Sequence, residues 1–437
     1  MLSRLRVATT LLLASIVFGG CGGEPGEVTL KFWGLGREGE VVAELVREFE
    51  RENPGIRVDV QQIPWIAAHE KLLTAYVGDV SPDVAQIGNT WISEFVALDA
   101  LQPLDRGPHA THVAWGEGSL AAGSDAVVRD GFFDGIWDTN VIEGRTYGIP
   151  WYVDTRLLFY RTDLLAEAGY TVPPRTWTGW VKAMRRIKAR SGGEDYAIYL
   201  PTNEWNVPVI LGMQAGSSLL RDDGRYGAFS EPAFARAFQF YVDLFKSELS
   251  PVMRLNVSNV YQEFARGRFA FFVTGPWNIG EFRRRLPPAM QDRWSTAPMP
   301  GPEGESSGVS MAGGASLVLF RSSRHKPEAW KLIEFLSRPD QQLRFFQLTG
   351  SLPARREAWQ DSALIGDAQV RAFFEQLERV EPLPKVPEWE LIATKVLDYA
   401  ERAIGTNAST EQVLEALDDE VDLILEKRRW MIARGGR

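Results

Sequence analysis

The chain reads as an α/β protein of two lobes with a largely helical C-terminal segment. Three observations lead there. Strand and helix signals alternate in two separate stretches, the rhythm of open parallel sheets. From Lys326 onward nearly every segment has helical period. Aromatic and polar residues recur just after successive strands, where open α/β sheets place their ligands.

The first rhythm begins with a strand over Val28–Trp33, a loop over Gly34–Gly39 and a helix over Glu40–Glu52. Val41, Val42, Leu45, Val46 and Phe49 fall on one face of that helix, and Asn53-Pro54-Gly55 ends it. Alternation of Ile56, Val58 and Val60 predicts a strand over Ile56–Ile63. A helix over Ala67–Val77 and a short buried strand over Asp83–Ile87 follow. The second rhythm has an apolar strand at Leu157–Tyr160, a helix over Thr162–Ala168, and a helix that Thr176 caps and that runs to Arg190. Strands at Ala197–Leu200, Phe269–Val273 and Ala315–Phe320 frame a helix starting at Trp205 and an amphipathic one over Pro232–Ser247. The tail predicts helices at Pro327–Ser337, Pro339–Leu348, Gln369–Arg379, Trp389–Ile404 and Thr410–Met431.

The N-terminus has the build of an export signal. Arg4 and Arg6 precede an apolar run to Phe18, and small residues stop just before Cys21, the one cysteine of 437 residues. The apolar run is too short to span a bilayer comfortably. A lone cysteine excludes an intramolecular disulfide. Loss of residues 1–20 removes two arginines and no acid, taking the formal charge from −9 to −11. An acidic chain without basic runs is a poor nucleic-acid binder. Several of the 15 tryptophans lie in Gly-, Pro- and Asn-rich loops rather than in periodic segments. Flat apolar faces for a ligand would account for that.

Four stretches carry a resemblance. They are Asn53-Pro54-Gly55-Ile56-Arg57-Val58; Ser81-Pro82-Asp83-Val84 leading into Asn89-Thr90-Trp91; Tyr147 to Asp154 followed by Leu158 to Leu165; and Gly267-Arg268-Phe269-Ala270 leading to Gly275-Pro276-Trp277. In order and spacing the chain resembles the extracellular solute-binding proteins that feed sugars to ABC importers, the maltose-binding-like family. The resemblance implies a periplasmic-binding-protein-like clamp with its ligand cleft at a hinge that the chain crosses three times. The expected crossings are Val153–Arg156, Ser310–Gly314 and Gly350–Leu352. They divide the chain into a signal peptide (1–20), a lipidated tether (21–27), an N-terminal lobe (28–153 with 315–351) and a C-terminal lobe (154–314 with 352–437). The resemblance also implies lipidation of Cys21 and anchoring at the outer face of the cytoplasmic membrane or in the periplasm. A monomer is expected, with membrane permease subunits and a separate ATPase as partners and no cofactor, no metal and no catalytic residue.

Sugars are recognised by stacking their C–H faces on aromatic rings and by pairing every hydroxyl. Trp277, by resemblance, is the stacking platform of the second lobe. Asn89 and Thr90 beside Trp91 can cap a helix or meet ligand oxygens, and the two roles are compatible. Asp154 reads either as a sugar ligand or as the ion-pair partner of Arg156. Glu204-Trp205-Asn206 is a helix cap or a contact, and Trp389 a sugar-facing ring or a core residue. Trp33 and Glu38 follow the first strand, Trp65 is expected in the cleft, and Gly314 allows a close backbone approach at a crossing. His69-Glu70-Lys71-Leu72-Leu73 lacks the second histidine of a zinc-protease helix.

Two rival functions share these features. A lipid-anchored extracellular glycoside hydrolase would need two carboxyl groups flanking one bond. A binder of another solute, a glycerol phosphodiester or a polyamine, is the second rival, and Arg37 and Arg156 keep the phosphodiester open. Four scattered histidines argue against a metal site. No lysine follows a glycine, so the chain has no phosphate-binding P-loop and an ATPase would have to be separate.

Overall fold

The computed structural model describes residues 27–105, 127–252 and 257–434. The export signal, Cys21 and the tether to residue 26 lie outside the described residues.

Two sheets organise the fold. The first has six strands in the order Leu352–Pro353, Gly148–Asp154, Gly313–Leu319, Val84–Gly88, Val28–Leu35, Ile56–Ile63. Val28–Leu35 is parallel to both Ile56–Ile63 and Val84–Gly88, whereas Gly313–Leu319 runs antiparallel to its two neighbours. The second sheet has four strands, ordered Trp294–Ala297, Leu157–Arg161, Phe271–Thr274, Ile198–Tyr199. The two α/β rhythms expected from the sequence are thus two lobes, and helices make up most of the chain after Lys326.

Two local differences have physical causes. The first helix spans Gly36–Glu52 and takes over most of the expected Gly34–Gly39 loop. A Cβ on Gly34 would stand 2.5 Å from the Gly39 Cα, so this glycine pair lets strand turn directly into helix. The expected helix Thr410–Met431 is two helices, Thr410–Ile424 and Glu426–Ala433. The first buries Val413, Leu414, Leu417 and Val421, while the second buries no residue, so the chain bends once the apolar face has run out. Elsewhere the fit is close: Ile56–Ile63 has the expected bounds, and Thr176 Oγ1 accepts from Gly179 N at the head of Trp177–Arg190.

The crossings position the cleft. Strand Gly148–Asp154 belongs to the first sheet and Leu157–Arg161 to the second, with only Thr155 and Arg156 between them. The return passes through Ser310–Met311 into Gly313–Leu319. Gly314 has φ +123°, and a Cβ there would run into the Tyr152 carbonyl oxygen, the close approach expected of this glycine. Expected boundaries shift at three places by pairing. Asp154 faces Gly313 and Gly314 faces Val153 within the first sheet, and Leu352–Pro353 pairs with Val153 and Tyr152 in that sheet too. The third passage therefore follows Pro353, before helix Ala368–Leu377 packs on Trp294–Ala297 of the second sheet.

One apolar cluster runs through both lobes, from Phe32 and Trp151 to Phe159 and Trp294. Trp151 stacks on Phe345 at 4.3 Å and Phe159 on Trp294 at 5.8 Å. Such pairs contribute about 0.5–1.5 kcal/mol each beyond their burial. Phe133, Trp359 and Phe374 meet at 5.3–6.1 Å beside the passage after Pro353.

Candidate functional site

A cleft of about 870 Å³ opens between the lobes. On the first-lobe wall the chain leaves strand Val84–Gly88 through a single 3-10 turn, Asn89–Trp91. That turn places three polar or aromatic side chains at the strand's carboxyl end. Asn89 is 6% exposed; its Oδ1 accepts from Ser316 Oγ at 3.0 Å, while its Nδ2 has no partner among the described residues. A buried amide donor left unpaired costs about 1–3 kcal/mol, so its direction matters: Asn89 lines the cleft. Thr90 Oγ1 donates to Glu390 Oε1 at the start of helix Trp389–Gly405, across the cleft.

Trp91 meets Trp65 edge to face at 5.8 Å, and His69 lies behind it at 5.0 Å. Trp65 opens helix Trp65–Val77, remains 38% exposed, and donates from Nε1 to Glu38 Oε2 at 3.4 Å. Ser351 Oγ reaches the other Glu38 oxygen at 3.4 Å. His69 Nε2 lies 2.6 Å from Glu94 Oε2, and that hydrogen bond raises the imidazole pKa above its usual value against the opposing effect of burial.

Arg156 organises the second-lobe wall. Its Nη1 donates to Asp154 Oδ1 at 2.8 Å, and its Nε lies 3.8 Å from Glu204 Oε2. With the Asn206 amide oxygen turned toward the guanidinium, Nε and Nη2 donate to it at 3.2 and 2.6 Å. The guanidinium carbon sits 4.6 Å from the centroid of Trp277, within range of a cation–π contact. Trp277 begins helix Trp277–Arg285 after strand Phe271–Thr274 and is 46% exposed. Burial raises the Asp154 pKa, with Arg156 opposing; Glu204 is raised by burial too, with Arg156 opposing and Asp154 adding. Between these walls, Tyr152 accepts from Gln86 Nε2 at 3.1 Å, and burial, with Glu38 and Asp154 adding, holds its hydroxyl protonated far beyond the usual phenol range.

The structure brings most expected residues together. Glu38, Trp65, Asn89, Thr90, Trp91, Asp154, Arg156, Trp205, Trp277 and Gly314 all line the cleft. Three do not. Strand Val28–Leu35 runs past its expected end at Trp33, so Trp33 packs into the sheet's apolar face at 8% exposure, with Lys71 Nζ 5.3 Å above its ring. Trp389 is fully buried and supports Trp205 edge to face at 5.8 Å. Glu204 stands behind Arg156 rather than in the lining. Asp154 is paired with Arg156, as one of its two readings expected, and it also faces the cleft.

Asn206, read as a cap or a contact, lines the cleft too, while sequence reasoning missed Tyr152, Glu281, Arg283, Ser351 and Glu390, which also line it. Glu281 carried a signal, four residues after Trp277 on one helix. Ser351 lies inside the expected crossing Gly350–Leu352, whereas nothing local marks Glu390, which a late helix carries in. The string Gly304-Glu305-Ser306-Ser307-Gly308 fits the Gly-x-Ser-x-Gly pattern of hydrolases. It forms a short 3-10 turn with Ser306 exposed, and no strand leads into it as a nucleophile elbow requires. Among the described residues no three His, Cys, Asp or Glu side chains form a metal cluster, and no helix is long and apolar enough to cross a membrane.

The family model for bacterial extracellular solute-binding protein matches residues 33–343. The chain is similar to the sugar-binding protein MalE of Xanthomonas citri at 46% identity, covering 93% of this chain and 99% of that one with a TM-score of 0.86. It is similar to an ABC transporter solute-binding protein of Thermotoga lettingae bound with α-D-tagatose, at 25% identity over 91% and 100% of the two chains with a TM-score of 0.72. It also matches a lactose-binding protein of Rhizobium radiobacter at 24% identity over 94% of this chain and 95% of its relative. The chain belongs to the bacterial extracellular solute-binding protein family, the maltose-binding-like group.

Proposed function

We propose that this protein captures a mono- or oligosaccharide between its lobes and delivers it to the permease of an ABC importer driven by a separate ATPase. Its family works by capture and not by catalysis. One observation supports a sugar above all: half-exposed indoles stand in the same cleft as a buried, unpaired amide donor, that of Asn89. Rings take the C–H faces of a pyranose, and the polar set takes its hydroxyls. Relatives described as binding tagatose or lactose fit that reading.

In this reading the contact residues are Glu38, Trp65, Asn89, Thr90, Trp91, Asp154, Arg156, Trp205 and Trp277, and Glu204 acts through Arg156. The two lobes move as bodies about the strand passages. A ligand touching both walls binds the closed form better, and that difference in affinity shifts the population. A thermal-shift screen across sugars, glycerol phosphates and polyamines tests the class, since a ligand of the native state raises the melting temperature by mass action. Stabilisation by a neutral sugar is expected, together with a smaller radius of gyration in small-angle scattering. Stabilisation by a phosphodiester or polyamine instead would overturn the sugar reading, and release of shorter sugars would favour the hydrolase. Outside the cytoplasm, the chain is held by lipid on Cys21 and works as a monomer; Cys21→Ser should move it to the soluble fraction.

A further inference from the structure

Three of the four tryptophans that line the cleft, Trp65, Trp91 and Trp277, have a glycine at their backs. A Cβ added at Gly275 would overlap the Cζ3 and Cη2 atoms of Trp277 and stand 2.6 Å from Cε3. One at Gly36 would stand 2.5 Å from Cδ1 and 3.0 Å from Nε1 of Trp65. At Gly88 the approach is looser, 3.3 Å to Cε2 and 3.4 Å to Cδ2 of Trp91. Elsewhere in the protein the demand for glycine comes from the backbone or from packing in the core, as at Gly212, where a Cβ would overlap the buried Phe234 ring. Gly55, Gly192 and Gly350 have positive φ and nothing within 4 Å of a Cβ. Gly275 is the reverse case: its φ is not positive, so an alanine fits its backbone, and what an alanine cannot share is the space of the indole.

We propose that Gly275 is a positioning residue of the cleft, a seat that fixes the plane of Trp277, and that Gly36 does the same for Trp65 and Gly88, more weakly, for Trp91. The proposal rests on the reading of these rings as sugar platforms. Trp277 is 46% exposed, so a methyl group at Gly275 can push the ring outward without disrupting the core. The ring then leaves the Arg156 guanidinium, 4.6 Å from its centroid, and presents a different face to the cleft. Binding is lost while folding is kept, the opposite of what a buried packing glycine gives. Gly36 combines the same overlap with φ +54°, so its substitution also strains the backbone and separates the two effects less cleanly.

The test uses the mature protein with maltose as probe, in titration calorimetry, and four forms: wild type, Gly275→Ala, Trp277→Ala and the double variant. Gly275→Ala should bind about tenfold more weakly with a melting temperature close to wild type, because alanine also reduces the freedom of the unfolded chain. The double variant should bind like Trp277→Ala alone, since the seat has no role without its ring. Wild-type affinity in Gly275→Ala beside a weakened Trp277→Ala would overturn the proposal and leave the site reading intact. Wild-type affinity in Trp277→Ala would overturn the site reading itself. A second measurement needs no sugar: acrylamide quenching and near-ultraviolet circular dichroism should change on Gly275→Ala, and should not change when it is made in a Trp277→Phe background. Identical spectra and quenching in wild type and Gly275→Ala would overturn the proposal even if maltose is not bound.

Discussion

On the first-lobe wall, Trp65, Trp91 and His69 lean on one another edge to face, and each has a further partner: a glycine, a glutamate or both. On the second-lobe wall Trp205 rests on buried Trp389, while Trp277 faces one cation, and among the described residues that cation holds Asp154, Asn206 and the nearby Glu204. The first wall distributes its order over many contacts of modest energy. The second concentrates it in Arg156, which is 9% exposed and stands between two carboxyl groups whose pKa values burial already raises. Equal-looking walls should therefore respond unequally to single substitutions, and the largest effects should fall on the second.

The largest is expected for Arg156→Ala. It leaves Asp154 and Glu204 half-buried without their cation and removes the neighbour of Trp277. Breaking a buried charge pair from one side costs about 3–5 kcal/mol, and the partial exposure of both acids puts this case near or below the lower end. Urea unfolding should show it, with sugar affinity falling further than for any other single change in the cleft. Arg156→Lys restores charge but not the fork that reaches three partners, and should recover stability more than affinity. Stability within 0.5 kcal/mol of wild type, roughly the scatter of surface substitutions, would mean that the second wall is not built around Arg156.

The comparison sharpens with Trp277→Ala beside Trp65→Ala. An indole face on a sugar desolvates apolar surface that no carboxylate covers, so Trp277→Ala should cost at least about tenfold in affinity, more than Glu204→Gln or any other single acid substitution. Trp65→Ala leaves Trp91 in place, still backed by His69, and should cost only a few-fold. Titration calorimetry on both gives the ratio. Equal losses would show that the walls share the ligand evenly.

The two lobes, many of their strands and helices and most of the lining were legible in the sequence because they depend on local signals. Alternation in Ile56–Ile63, a cap at Thr176 and aromatic residues at strand ends each follow from a short window. What escaped depends on how far a strand runs and on what distant segments bring. Trp33 looked like a cleft residue because its strand was expected to end there; two more residues of pairing with Ile56–Ile63 turn it into the sheet. Trp389 was open between a platform and a core residue, and it is the core residue, its ring supporting Trp205. Glu390, its neighbour, reaches the cleft through a helix that arrives 300 residues after Thr90. The seats at Gly36 and Gly275 were not legible either. A glycine before a tryptophan reads as a turn, and only the distance from a missing Cβ to a ring shows otherwise.

The smallest expected effect separates charge from packing on the first wall. His69 and Glu94 are 2.6 Å apart, from helices Trp65–Val77 and Ile92–Ala97, and Glu390 adds its charge from the second lobe. The hydrogen bond to Glu94 raises the folded-state pKa of His69 above 6.5. A raised histidine stabilises fully below its unfolded pKa and loses that contribution as pH rises through the folded one. Wild type should therefore exceed His69→Gln in melting temperature most below about pH 6.5, and the difference should shrink at higher pH. Because both side chains are partly exposed, the pair contributes at most about 1 kcal/mol. Asp154 and Glu204 are unchanged in both forms, so their titrations cancel in the difference. A melting difference that stays constant from pH 5.5 to 8.5 would show that His69 supports Trp91 as a ring alone, 5.0 Å behind it, and that the first wall is held without charge.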